Sequence, residues 1–299
     1  MALIFLNIIV PIFVLIGVGT AMDRLFRLDL PTLSKLNFYV FVPALVFVKV
    51  LKADLQASEM WRVVAFSLAH FAALWLLAAV ALARGPLRRE RTVLTLGALF
   101  SNCGNYGIPL VALAFGDRCM GALAIVLMLQ NLLSFTVGVW MCERHSRGAL
   151  KSLAGFWKIP VVCAVVIALA MRWLHSPLPP QLEQPLDYLA DGLVPVALLT
   201  LGAQLSRSAI SGNRLALAAA VGMRLAISPL AAALLVPLFG LKPPLSSLMI
   251  VLAGVPVAVN VYILAAEYKQ DEQLASQSVF WTTLLSAATV SILLGIVPR

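Results

Sequence analysis

The sequence predicts an all-α membrane protein: ten transmembrane helices forming two inverted five-helix repeats, with helices four and nine broken. Three observations predict it. Of 299 residues, 62% are hydrophobic and 12% charged, with mean hydropathy +0.97; soluble domains carry roughly 25% charged residues. Apolar stretches near the ~20 residues that cross a bilayer recur along the whole chain. The chain also reads as one unit written twice. Val10-Pro11-Ile12 returns as Ile159-Pro160-Val161, and Val42-Pro43-Ala44 as Val194-Pro195-Val196. Gly107-Ile108-Pro109 returns as Gly254-Val255-Pro256, and Leu132-Leu133-Ser134 as Leu284-Leu285-Ser286. The spacings nearly match: Pro11 to Pro43 is 32 residues against 35 for Pro160 to Pro195, and Pro43 to Pro109 is 66 against 61 for Pro195 to Pro256.

The ten spans are 4–22, 32–51, 62–83, 92–116, 119–142, 158–174, 187–206, 213–239, 244–267 and 276–297. The first has no basic n-region and no small-residue cleavage site, so it reads as a span and not as a cleaved leader. The stretch 175–186, with Pro177, Pro179, Pro180 and Pro185, reads as an exposed extended loop. The charged, glycine-bearing segment Glu143–Trp157 is the seam, so residues 1–149 and 150–299 are the two repeats of one integral membrane unit. Trp61, Trp140, Trp157 and Trp173 stand near span ends, as interfacial anchors do. The four cysteines show neither CxxC nor metal-ligand spacing and read as small apolar packing residues.

The net charge of +9 does not point to nucleic acid, because the basic residues sit in short loops. Arg24, Arg27, Lys35, Arg84, Arg88, Arg89, Arg91, Arg144, Arg147, Lys151, Lys158, Arg207, Arg214 and Lys269 fall on one side, 14 residues in all. Seven, namely Lys49, Lys52, Arg62, Arg118, Arg172, Lys242 and Arg299, fall on the other. The richer side is read as cytoplasmic, which places both termini outside the cytoplasm. Five spans per repeat is an odd number, so the second repeat starts from the opposite face.

Span four contains Ser101-Asn102-Cys103-Gly104-Asn105-Tyr106-Gly107-Ile108-Pro109, and span nine Gly254-Val255-Pro256-Val257-Ala258-Val259-Asn260. Proline removes a backbone donor and clashes with the carbonyl four residues back; glycine weakens the helix further. Within hydrocarbon the freed groups must find partners or line a wet cavity. Matched breaks in duplicated halves point to a secondary transporter and to its binding site. The amide end of each second half-helix favours an anion, and each first half offers carbonyls suited to a cation. Candidate substrate-binding residues are Asn102, Asn105, Gly107, Pro109, Asn131, Arg224, Pro256, Asn260 and Thr283.

The Asn-x-Gly-Asn-x-Gly-x-Pro pattern at Asn102–Pro109 and the Gly254-Val255-Pro256 turn resemble the auxin efflux carriers and their bacterial relatives. Arg224-Leu225-Ala226-Ile227-Ser228-Pro229, Ala265-Ala266-Glu267-Tyr268, Ala275-Ser276 and Thr282-Thr283-Leu284-Leu285-Ser286 extend the likeness along the chain. The resemblance implies the ten-helix inverted repeat, a scaffold of spans one, two, six and seven, and a transport domain made of the rest, in which the broken spans four and nine cross. The short central loop is similar to the bacterial branch, which implies a cell inner membrane and small organic anions, mono- or dicarboxylates or auxin-like acids.

Arg224, near the middle of span eight, has two readings: ligand to a carboxylate, or clamp on broken-helix carbonyls. His70 in span three reads as a packing residue with a proton-handling role as the alternative. No Asp or Glu lies at the centre of a span; Asp187, Asp191, Glu267 and Asp271 read as solvated ends. Gln130, Asn131, Thr282, Thr283 and Ser286 read as interhelical hydrogen bonders or cavity lining. H-E-x-x-H, P-loop and G-x-G-x-x-G motifs are missing, so no enzyme, cofactor or ATP-driven transport is expected. The reading is alternating-access transport of a small organic anion, with coupling to protons or sodium and assembly as a homodimer left open; a passive anion channel of the same fold is the alternative.

Overall fold

The computed structural model describes Leu3 and residues 5–52, 56–142, 160–207 and 213–298. The seam Glu143–Trp157, with Arg144, Arg147 and Lys151, lies outside the described residues, as do Lys158, Ile159 and Arg299. Among the described residues the chain is helical, and seven helical runs are long and apolar enough to cross a membrane.

The elements are α1 (Phe5–Phe26), α2 (Leu30–Leu51) and α3 (Ala57–Ala81); α4 (Arg91–Leu99) and α5 (Ile108–Phe115); and α6 (Met120–Leu133), carried on through Ser134–Gly138 and Val139–Cys142. There follow α7 (Pro160–Trp173), α8 (Pro180–Ser206), α9 (Arg214–Phe239), α10 (Leu245–Ala253), α11 (Val259–Glu267) and α12 (Glu272–Ile296). The two regions expected as spans four and nine are pairs of short helices, α4 with α5 and α10 with α11. At 1.5 Å rise per residue none of the four is long enough to cross alone. A turn at Gly116–Cys119, where Gly116 has φ +63°, separates α5 from α6.

Proline accounts for much of the local geometry. Five-residue π turns stand directly before Val10-Pro11, Val42-Pro43, Ile108-Pro109 and Ser228-Pro229. The ring excludes the normal carbonyl four residues back, and widening the turn relieves that clash. The Pro-rich loop expected over 175–186 is corrected: α8 begins at Pro180 and runs through Pro185 and Pro195. Pro180 opens the first turn, where the missing amide costs nothing and the fixed φ suits a helix. Asn213 caps α9 by accepting from the amides of Leu215 and Ala216, at 3.1 and 3.2 Å.

Two bodies of packing stand out. In one, α1 runs parallel to α8, and α2 packs on both α7 and α8. Gly19 lies against Leu199 of α8, and Gly202 lies against Ile16 of α1. The Thr20 hydroxyl donates to the Gly202 carbonyl at 2.9 Å along the same seam. In the other, α3 packs on α4, α6 and α9, and α12 on α9 and α11. Much of the outward surface is apolar: Leu76, Val80 and Leu234 are 66%, 70% and 78% exposed, as lipid-facing positions are.

Polar contacts gather at the two ends of the bundle. At one end Lys49 pairs with Asp117 at 2.5 Å and Lys52 with Glu183 at 3.2 Å and Asp187 at 3.4 Å. Arg62 donates to the Gly240 carbonyl at 2.9 Å and Arg172 to that of Val50 at 3.3 Å. At the other end Arg207 pairs with Asp23 at 2.6 Å, and the Asn213 amide donates to Glu90 at 3.1 Å. Trp61, Trp140 and Trp173 are exposed on the apolar surface; Trp157 lies outside the described residues.

Candidate functional site

The two breaks meet backbone to backbone. Phe100 and Ala258 are extended, and an isolated antiparallel bridge forms beside them at Ser101 and Val257. The Asn102 amide donates to the Pro256 carbonyl at 2.8 Å, and the Ala258 amide to that of Phe100 at 3.0 Å. The Val257 amide donates to the Thr282 hydroxyl of α12 at 3.0 Å. Amides and carbonyls released by Pro109, Pro256 and the glycines thus pair across the breaks, as burial requires.

A cavity of about 330 Å³ lies on one side of this junction. Asn102, Gly104 and Asn105 line it from the turn that opens α5, and Ala258, Val259 and Asn260 from the start of α11. The first amides of a helix have no intrahelical acceptor and carry its positive end, so two such ends face one space. Ser101, Gln130, Asn131 and Ser134 add polar groups; Asn37, Phe38 and Tyr39 close the wall from α2, and Lys35 with Gln204 stands toward the rim. Among the described residues the lining holds no Asp or Glu. Several buried polar atoms around it have no partner among the described residues: Asn102 Nδ2, Asn37 Oδ1, Gln130 Oε1, Ser134 Oγ and Gln204 Oε1. Such atoms are costly when left dry, and they favour a polar occupant.

Of the nine candidate residues, Asn102, Asn105, Asn131 and Asn260 come together at this cavity. Asn131 also donates to the Leu127 carbonyl at 2.9 Å. Gly107, Pro109 and Pro256 are buried in the breaks and do not line the cavity. A Cβ at Gly107 would meet the Asn102 carbonyl and Leu252 at 3.5 Å, an ordinary contact. Thr283 is buried away from the cavity and donates to the Val279 carbonyl of its own helix at 2.7 Å. Ser286 donates to the Tyr106 hydroxyl at 2.9 Å, tying α12 to the first break.

Arg224 is 1% exposed and lies behind the junction, outside the cavity lining. Its Nη1 donates to the Ala98 carbonyl at 2.9 Å, and its Nη2 to that of Ala253 at 2.5 Å and to the Ser228 hydroxyl at 3.0 Å. Of the two readings open for this residue, the contacts are those of the clamp. His70 Nε2 donates to the Ser228 carbonyl at 3.0 Å, and its ring stacks on Phe66.

Sequence reasoning passed over Asn37, Ser101 and Gln204 as lining residues. Asn37 precedes the Val42-Pro43 break by five residues and donates to the Thr200 hydroxyl at 3.2 Å; a polar side chain beside a recurring proline motif is the signal that could have found it. Asp23 was also missed. The expected first span stops one residue short of it, whereas α1 runs on to Phe26 and buries the carboxylate beneath Ser206 and Arg207.

A helical bundle with two paired backbone breaks beside one polar cavity defines a membrane transport protein. The profile of the family described as "Membrane transport protein" matches residues 4–155 and 149–294. The chain belongs to this family, that of the auxin efflux carriers and their relatives. It is similar to a protein of Rhizobium meliloti (strain 1021) named "Putative malonate transporter", with 26% identity covering 97% of this chain and 95% of the relative. An uncharacterized transporter of Methanocaldococcus jannaschii is 24% identical, covering 87% of each chain. One of Methanothermobacter thermautotrophicus is 25% identical over 88% of this chain and 87% of the relative.

Proposed function

We propose that the protein is a secondary active carrier of a small organic anion, a dicarboxylate of malonate size first among them, which occupies the cavity beside the paired breaks. The observation that carries this reading is the cavity itself. Two half-helix amide ends and Asn102 Nδ2, unpaired among the described residues, converge on a space whose described lining has no carboxylate. Each helix end contributes about 0.3–1 kcal/mol toward an anion, more when partly buried. About 330 Å³ lies at the small end of ligand sites, and the Rhizobium relative's name supplies malonate as the first compound to try.

The architecture that accompanies this function is the ten-span inverted repeat, residues 1–149 and 150–299, in the bacterial inner membrane with both termini outside the cytoplasm. Several facts support it. The α1–α8 and α2–α7 packings exchange under a two-fold relation between the halves. The polar contacts at the two bundle ends also join residues within the two loop groups and none across them. In this reading α1, α2, α7 and α8 are the scaffold, and the remaining helices carry the site past it. Lys35 at the cavity rim belongs to the basic loop group, so the cavity opens to the cytoplasm.

Uptake into proteoliposomes tests the function. Malonate uptake should saturate, and the diamide of malonate should compete far more weakly than the acid. Equal affinity for acid and amide refutes the anion site; conductance without saturation refutes the carrier.

A further inference from the structure

The first halves of the broken helices, α4 and α10, end with their carbonyl groups directed at the junction. A helix C-terminus carries the equivalent of roughly half a negative charge, and in transporters built on broken helices such ends coordinate the coupling alkali cation. In this protein both ends converge on one side chain. Arg224 binds the Ala98 carbonyl at 2.9 Å through Nη1 and the Ala253 carbonyl at 2.5 Å through Nη2. Ala98 stands one residue from the end of α4, and Ala253 is the last residue of α10.

Neighbouring carbonyls are occupied as well. Ser228 Oγ donates to Ala253 at 2.8 Å, and Gln130 Nε2 to Leu99 at 3.4 Å. The Phe100 and Pro256 carbonyls accept the Ala258 and Asn102 amides, and those of Ser101 and Asn102 accept the Cys103 and Gly107 amides. Among the described residues no carboxylate pairs with Arg224. The guanidinium is buried, always charged, and among the described residues its hydrogen-bond partners are the two backbone carbonyls and the Ser228 hydroxyl.

We infer that Arg224 is a tethered counter-ion that fills the place of a coupling alkali cation at the crossing, which makes transport independent of sodium. This rests on the carrier function proposed above. A bound ion enters and leaves in every cycle and so couples its gradient to the substrate. A covalently held cation stays with the breaks through the cycle and transmits no gradient. The same charge stabilises the junction, because removing it leaves two desolvated carbonyl ends facing each other.

Two measurements separate this inference from the function beneath it. Purified protein without substrate is melted in sodium chloride and in choline chloride of equal ionic strength. A cation bound to the native state raises the melting temperature by mass action, so the wild type should melt alike in both salts. Arg224→Ala should melt lower and regain most of the loss in millimolar guanidinium chloride, whose ion fits the vacated position. Initial malonate uptake at a fixed membrane potential is then compared with sodium or choline outside, and the wild-type rates should be equal. Sodium-dependent melting of the wild type, uptake that collapses in choline, or an Arg224→Ala protein that melts like the wild type overturns the inference. Wild-type protein that takes up no malonate in either salt refutes the carrier reading for that substrate, and the melting comparison then decides the inference alone. If Arg224→Ala does not accumulate, the wild-type salt comparison decides it.

Discussion

Adding one methyl group to Gly202 should separate α1 from α8. A Cβ there would stand 2.0 Å from the Ile16 carbonyl oxygen, 2.8 Å from the Ile16 carbonyl carbon and 2.9 Å from the Thr20 amide nitrogen. All three are backbone atoms, so no rotamer change relieves the overlap. The helices must part by about 1 Å, and a gap of that size forfeits a quarter to a half of the dispersion energy along the seam. The Thr20 bond to the Gly202 carbonyl stretches with it, a loss of about 1 kcal/mol. Overpacking costs about 1–3 kcal/mol, so the expected destabilisation is about 2–4 kcal/mol, or about 3–6 °C in melting temperature. Gly19→Ala meets the Leu199 carbonyl oxygen at 2.2 Å on the same seam. One displacement relieves both clashes, so the double variant should lose much less than the sum. Melting of purified protein followed by size-exclusion chromatography reads this directly. A Gly202→Ala protein that melts with the wild type, or strictly additive losses, would refute the close-packed seam.

Asn102→Ala should weaken malonate binding about tenfold, the loss of about 1.4 kcal/mol, with melting unchanged, because Asn102 Nδ2 has no protein partner to lose; unaltered affinity by calorimetry would remove this side chain from the site. Asp23→Ala should cost about 1–2 kcal/mol, less than a fully buried pair, since Arg207 is 46% exposed at its side chain; a melting temperature equal to the wild type counts against the contact. The Lys52 ammonium is held above its ordinary range by the Glu183 carboxylate beside it. A raised lysine contributes in full below the unfolded value, near 10.4, and is lost only as pH climbs through the folded one. Lys52→Met should therefore shift melting by the same small amount across neutral pH, and a marked change between pH 6 and 8 would contradict this. In a cysteine-free background, Arg118→Cys should react with an impermeant thiol reagent in intact cells and Arg88→Cys should not; the reverse pattern inverts the proposed orientation.

Much of the fold was legible because its signals are local. A span shows in twenty successive residues, and a break in a proline with its glycines. Asn102, Asn105, Asn131 and Asn260 were legible as candidates, and all four line the cavity, for a related reason: each is a polar side chain placed where hydrocarbon makes it expensive. Proline misled in one place, since 175–186 reads as loop by composition, yet Pro180 suits a helix start and α8 tolerates Pro185 and Pro195.

Other features depend on pairs far apart in the chain. Gly19 and Gly202 look like any glycines in an apolar run until Leu199 and Ile16 lie against them. Asn37 and Gln204 gain meaning only as walls of one cavity. Arg224 shows the division most clearly. From the sequence alone, a mid-membrane arginine had to find either a ligand or a set of carbonyls, because an unpaired charge is too costly there. Which of the two it met depended on where α4 and α10 end in space. Local chemistry thus determined that the chain spans a membrane, breaks two helices and buries a cation; only tertiary packing decided that the cation caps both broken helices and leaves the cavity to the amides.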